Sequence, residues 1–251
     1  MHSKDIQVLY EKHQLLTSKG KGIANALVGK TAMILFFVSD SVSRWNDSAK
    51  SRFSKTHASA MNTVIKAAQK YSVSLTIDTI AEEVTLPYAC DNDLKSGDSD
   101  KWISAITDRF NRKYFRGYKY HFTEKLGYDQ VAIAFVFNRD FRAYAGSDER
   151  LNAVCTTECS VLCCSSSERT ILHELFHQFG AADLYYPDDV VKAVRKYNYL
   201  SLMGYGSGIH IDSLTAYLIG WSDEIDETTV ALLEDTKHLR VKDIIIGRRN
   251  S

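Results

Sequence analysis

Apolar residues recur along this chain in two rhythms, and the rhythms alternate. Residues 31–39 (TAMILFFVS) are apolar almost without a break, the pattern of a strand buried on both faces. Residues 130–138 (QVAIAFVFN) repeat that pattern, and residues 73–84 (VSLTIDTIAEEV) alternate and are rich in β-branched side chains, so both predict strands. Residues 45–71 carry Phe53, Met61, Val64, Ile65 and Ala68 at helical spacing, and residues 101–114 carry Trp102, Ile103, Ile106 and Phe110. Helices placed between strands imply parallel crossovers. A polar, aromatic loop at 138–147 precedes a short fourth strand within 152–164. No helix leads into that strand, so it is expected to run antiparallel at the sheet edge. The fold class predicted is α/β (α+β), a twisted mixed sheet with an antiparallel edge strand.

The flanking segments are less regular. Residues 5–27 read as a helical or loosely ordered lead-in, and 188–197 as a short helix. Gly204, Gly206 and Gly208 fall within five residues and demand a tight turn. Residues 211–221 form an amphipathic pattern ending at Gly220, and the tail from 222 to 251 carries no motif.

The chemistry is concentrated in residues 171–183, ILHELFHQFGAAD. His173 and His177 are four apart and share one helix face, so two imidazoles can meet at one point. That is what a tetrahedral zinc needs from its first two ligands. Glu174, beside the first histidine, is placed to take a proton from a metal-activated water. Gly180 permits a sharp turn that returns Asp183 to the metal as a third ligand, leaving the fourth position open. Ile171, Leu172, Leu175, Phe176 and Phe179 cover the rest of the helix, where two histidines and a glutamate without partners would be costly. Ser165 to Glu168 reads as an S/T-x-x-E start signal. His210 and Asp212 are reserve ligands. His2, His13, His57, His121 and His238 lack partner spacing and read as surface or packing residues.

Composition narrows the class. The 251 residues are 45% hydrophobic and 25% charged, with formal net charge zero. This is globular composition with no basic field for nucleic acid, and its longest apolar run, 32–38, is too short to span a bilayer. Acidic stretches at 91–93 and 98–100 read as solvated loops, and no calcium is assigned to them. No apolar leader core is visible in residues 1–23, consistent with a cytoplasmic protein or a mature secreted chain. Cys90 stands apart, while Cys155, Cys159, Cys163 and Cys164 crowd together, which favours a disulfide-bearing loop. Cys163 and Cys164, being adjacent, point to opposite faces of a strand.

The run from His173 to Asp183, followed by Ser201-Leu-Met203-Gly-Tyr205, resembles the metzincin clan of zinc metallopeptidases, which pairs an HExxHxxGxx(H/D) helix with a downstream Met-turn. Asp183 in third place looks like the snapalysin-type variant. The runs Asp183-Leu-Tyr185, Ser201-Leu-Met203-Gly and Ile219-Gly-Trp221 look like the immune-inhibitor-A type of bacterial secreted peptidase. The motif resemblance covers about 168–221. It implies zinc held by His173, His177 and Asp183, with Glu174 as general base, Met203 as an apolar floor, and Tyr205 stabilising the oxyanion. Most of the clan has histidine where this chain has Asp183; a carboxylate binds zinc well but makes the activated water less acidic.

The resemblance further implies one catalytic domain over 1–251. Its N-terminal subdomain, about 28–180, would carry the zinc helix. Its C-terminal subdomain, about 181–251, mainly irregular and helical, would carry the Met-turn. The expected function is a zinc-dependent endopeptidase, monomeric and secreted, with a protein or peptide substrate extended along the edge strand. The rivals are a narrow-specificity zinc hydrolase of small peptides or a non-protein substrate, and an inert zinc-containing binding module. The second would have no use for Glu174.

Overall fold

A computed structural model of the chain describes residues 24–90, 99–109, 114–146 and 159–236. The two continuous apolar runs become β1 (Gly29–Ser39) and β3 (Gln130–Phe137), side by side and parallel, with Ile34 opposite Ile133. Successive side chains leave a strand on opposite faces. Phe36 stacks on Phe135 at 5.2 Å and meets Tyr118 edge-on, whereas Phe37 meets Trp45 and Phe53 edge-on at 5.0 and 6.0 Å. Each face has its own aromatic cover, which is why β1 needs apolar residues at every position.

The cover on the Phe37 face is α1 (Asp47–Lys70), capped by Asn46, whose side chain accepts from Ala49 N. α1 returns the chain to β2 (Leu75–Thr85), parallel to β1. The Phe36 face is covered by α2 (Ser99–Arg109) and α3 (Tyr114–Tyr120), joined to a π-helical turn at His121–Lys125. Trp102, on α2, meets Phe135 and Phe137 edge-on at 5.2 Å. Of the helix predicted over 101–114, residues 101–109 and 114 are helical, residues 110–113 lie outside the described residues, and helical structure continues to residue 125.

The described residues form a mixed α/β fold around a five-stranded, mostly parallel sheet whose first three strands stand in the order β2-β1-β3, with two more beyond β3. The edge strand differs from the sequence-based expectation. β5 (Cys159–Cys163), the strand expected within 152–164, runs parallel to β3 and is internal, with all five residues buried. The antiparallel edge is instead β4 (Tyr144–Gly146), in the stretch read as loop, with Tyr144 opposite Val161. A three-residue strand is too short to show alternation, and covering β5 on both sides accounts for its unbroken burial. Most of the lead-in (residues up to 23), the acidic stretch 91–98, residue Cys155 and the tail beyond 236 lie outside the described residues.

Three further helices come after β5: α4 (Glu168–His177), which carries the central motif, α5 (Asp188–Lys196) and α6 (Ser213–Leu218). A fourth, α7 (Glu227–Asp235), capped by Asp226, was not predicted from the tail. The C-terminal part is tied back to the start of β1, since Leu27 N donates to Ile219 O and Trp221 Nε1 donates to Leu27 O.

His57 is among the buried ionisable residues that lie away from the central motif. His57 on α1 is 2% exposed, its Nε2 has no hydrogen-bond partner, and its ring lies against Phe53. Burial disfavours the imidazolium and lowers the pKa from 6.5 to about 4. The unfolded chain therefore binds this proton first. Stability attributable to His57 is intact above pH 6.5 and is lost as pH falls toward 4, a total of roughly 3 kcal/mol at 1.36 kcal/mol per unit. His57→Leu is expected to remove that share of acid sensitivity. Urea midpoints at pH 7 and pH 4.5 test it; an undiminished acid loss in the variant would refute the assignment.

Candidate metal centre

The helix that carries the motif, α4, starts at Ser167, whose hydroxyl accepts from Thr170 N at 3.2 Å. The cap is therefore two residues later than the S/T-x-x-E signal suggested. The two earlier serines are engaged elsewhere: Ser165 bonds the Asp140 carboxylate and Ser166 accepts from Cys163 N at 3.1 Å. Residues 171–177 are all buried.

Gln178 sets the helix against the sheet. It is fully buried; its Oε1 accepts from Ile133 N at 2.9 Å, and its Nε2 donates to Ile133 O at 3.0 Å and to Ser160 Oγ at 2.7 Å. The β3–β5 ladder begins only at Ala134 opposite Ser160, so the side-chain amide takes the place of a strand partner at Ile133. Buried backbone groups need such partners. Ser160 Oγ in turn donates to Glu174 O at 3.0 Å, fixing the backbone of the motif glutamate.

The chain then reverses. Gly180 has φ +97°, Ala181 N donates to Phe176 O and Gly180 N donates to His177 O. This 6→1 and 5→2 pair is a Schellman ending, with glycine in the left-handed position. The reversal brings Ala181 O to 2.8 Å from His177 Nδ1. It also brings Asp183 Oδ1 to 3.2 Å from His173 Nε2 and 3.0 Å from His177 Nε2, while the two Nε2 atoms are 3.2 Å apart.

His173, His177 and Asp183 form the group of three able to hold a metal ion among the described residues. The hydrogen-bonding pattern agrees. His173 Nδ1 faces Leu202 O at 3.2 Å and His177 Nδ1 faces Ala181 O. Carbonyls only accept, so in the neutral rings each Nδ1 carries the proton and each Nε2 presents a lone pair. Asp183 Oδ1 makes no well-directed hydrogen bond although two imidazole nitrogens lie beside it. Three acceptors thus converge with no donor among them. Their spacing is close to the edge of a tetrahedron with bonds near 2.0–2.1 Å, about 3.3 Å. The donor set, two imidazoles and a carboxylate, fits a borderline cation such as zinc.

Without an ion, charge is shared differently. Burial disfavours the charged form of His177, but the adjacent Asp183 carboxylate outweighs it, and the pKa is pushed up to about 9. Burial likewise works against ionised Asp183, yet His177 and His173 hold its carboxyl well below the usual range. Glu174 is 7% exposed and is not one of the three converging groups. Burial raises its carboxyl pKa, with the two histidines opposing.

The remaining predicted residues fall around this group. Met203 is fully buried; its carbonyl accepts from Leu184 N at 2.8 Å, tying the turn to the segment just after Asp183. Tyr205 is 62% exposed and its hydroxyl donates to Tyr185 O at 3.3 Å. Between Tyr205 and the histidines stands Tyr185, whose ring stacks on His173 at 5.8 Å and lies 5.9 Å from the Tyr205 ring. Burial raises the Tyr185 phenol, as do Asp183 and Glu174, while Arg142 opposes. In the sequence Tyr185 falls in a loop, and its spacing two residues after Asp183 is the signal that points to it. Asp212 is occupied as the cap of α6, accepting from Thr215 N, Thr215 Oγ1 and Tyr199 Oη. His210 is exposed and contributes its carbonyl to Leu202 N.

The cysteines also differ from expectation. Cys163 and Cys164 are free thiols, so a bridge in that cluster does not use them. Cys163 Sγ sits 3.3 Å from the Ser165 and Ser166 hydroxyls, whereas Cys164 faces Asp140. Cys163 is the last residue of β5 and Cys164 lies in the turn after it, so the alternation expected of two strand neighbours does not apply to this pair. Compared with known proteins, the chain matches no family model and no curated sequence.

Proposed function

We propose that this protein is a zinc-dependent endopeptidase. The observation that carries this reading is the convergence of three acceptor atoms from His173, His177 and Asp183, with the buried carboxyl of Glu174 beside but outside the set. Zinc in such a site, when bound, polarises a substrate carbonyl and makes water acidic enough to be deprotonated near neutral pH. Glu174 takes the proton of the attacking water and delivers it to the leaving amine. Its burial, which raises its pKa, suits a group that must hold a proton in transit. Tyr185, stacked on His173, presents a phenol beside the reacting region and is the nearer of the two tyrosines to act as an oxyanion donor. Tyr205 would reach the oxyanion only by leaving its bond to Tyr185 O.

A peptide substrate is favoured by β4. It ends the sheet and packs beside α4, so an extended chain could add to it by backbone hydrogen bonds next to the metal ligands. Elemental analysis and hydrolysis of a denatured protein, with and without a chelator, test the proposal. About one zinc per chain and chelator-sensitive cleavage are expected. A well-folded sample that takes up no zinc would overturn it, and zinc without cleavage would favour a narrow substrate or a binding role.

A further inference from the structure

Arg169 is the charged residue that the metal chemistry leaves unexplained. It lies four residues before His173, hence on the same face of α4. One of its terminal nitrogens, Nη2, donates to Leu202 O and to Gly204 O, both at 2.7 Å. Leu202 O also faces His173 Nδ1 at 3.2 Å. A single carbonyl therefore accepts from the guanidinium and from the first ligand histidine. Gly204 O, the second acceptor, lies just before Tyr205 and Gly206, where φ is +128° and open space surrounds the backbone. Arg169 thus clasps the turn on both sides of Met203.

The position is unfavourable for a cation on helix grounds. Arg169 is the second residue after the Ser167 cap, where the partial positive charge of the helix N-terminus repels it. A residue kept only to stabilise α4 would not be basic there. We infer that Arg169 is a positioning residue. It fixes the carbonyl of Leu202, and through it the tautomer and orientation of His173, so that Nε2 is aimed at the metal. Outer partners of this kind orient ligands and set metal affinity. The inference rests on the metal site proposed above and adds to it the group that aligns its first ligand.

The test compares zinc affinity of the full chain, by competition with a chromogenic chelator, in wild type, Arg169→Ala and Arg169→Lys. Ala favours the helix and leaves a space that guanidinium can enter. Zinc binding should weaken about 10- to 100-fold in Arg169→Ala, with part of the loss restored by millimolar guanidinium and not by equal sodium chloride. Arg169→Lys, whose ammonium falls about one bond short of Nη2, should lie between. Limited proteolysis supplies a readout independent of zinc: the loop at 204–208 should be cut faster in the metal-free Ala variant. Wild-type zinc affinity in a folded Arg169→Ala protein would overturn the inference alone. A wild type that binds no zinc would overturn both it and the proposed function.

Discussion

Glu174→Gln is expected to lower kcat by roughly 10³-fold, within the range for loss of a general base, while zinc content stays at the wild-type level. The two side chains have nearly the same shape, so a site only 7% exposed keeps its packing. The three converging acceptors come from His173, His177 and Asp183 alone, so the substitution removes no ligand. What it removes is a carboxylate able to accept a proton, since an amide cannot do so at neutral pH. The backbone at this position is held by Ser160 Oγ and does not depend on the side chain. Metal content and turnover on a denatured protein should be measured on the same preparation. A variant keeping more than about a tenth of its activity would remove Glu174 from the mechanism. One that lost zinc in proportion to activity would make it a ligand instead.

How far the sequence discloses this site depends on how local each feature is. The two histidines are legible because helix geometry alone brings residues four apart together. Asp183 is legible one step further, because Gly180 can adopt the positive φ that the reversal requires, and it does so at +97°. β1 and β3 are legible because burial on both faces leaves a continuous apolar run. β4 is not, because three residues carry no period and its existence depends on pairing with β5. The same holds for the residues that align the ligands. Gln178 matters because the β3–β5 ladder starts one residue beyond Ile133. Arg169 matters because the chain returns to it more than thirty residues later, at Leu202 and Gly204. Tyr185 acquires a place beside His173 only once Leu184 N has bonded Met203 O. Each of these depends on a contact between distant segments, which residue type and spacing do not encode.

Asp183→Ala is expected to weaken zinc binding by more than about 100-fold, beyond the range for outer-shell changes, and to change the proton balance of uptake. In the metal-free chain Asp183 lies 3.0 Å from His177 Nε2 and keeps that imidazole charged, its pKa pushed up to about 9 despite burial. A metal can bind only the neutral ring, so zinc uptake by wild type near pH 7 must release this proton. Without the carboxylate, burial, the largest influence on His177, favours the neutral ring against the smaller opposing pull of Glu174 and the Ala181 carbonyl, so the variant should release less than wild type. Linkage gives the accompanying stability effect. A folded-state pKa raised from 6.5 to about 9 stabilises the metal-free protein fully below pH 6.5, and that contribution disappears as pH rises through 9. Metal-free wild type should therefore lose stability between pH 6.5 and 9, and the variant should not. Calorimetric titration with zinc in two buffers of different ionisation enthalpy reads affinity and proton release together. Wild-type affinity in the variant would exclude Asp183 as the third ligand. Weakened affinity with an unchanged proton release would keep it as a ligand but remove its hold on His177.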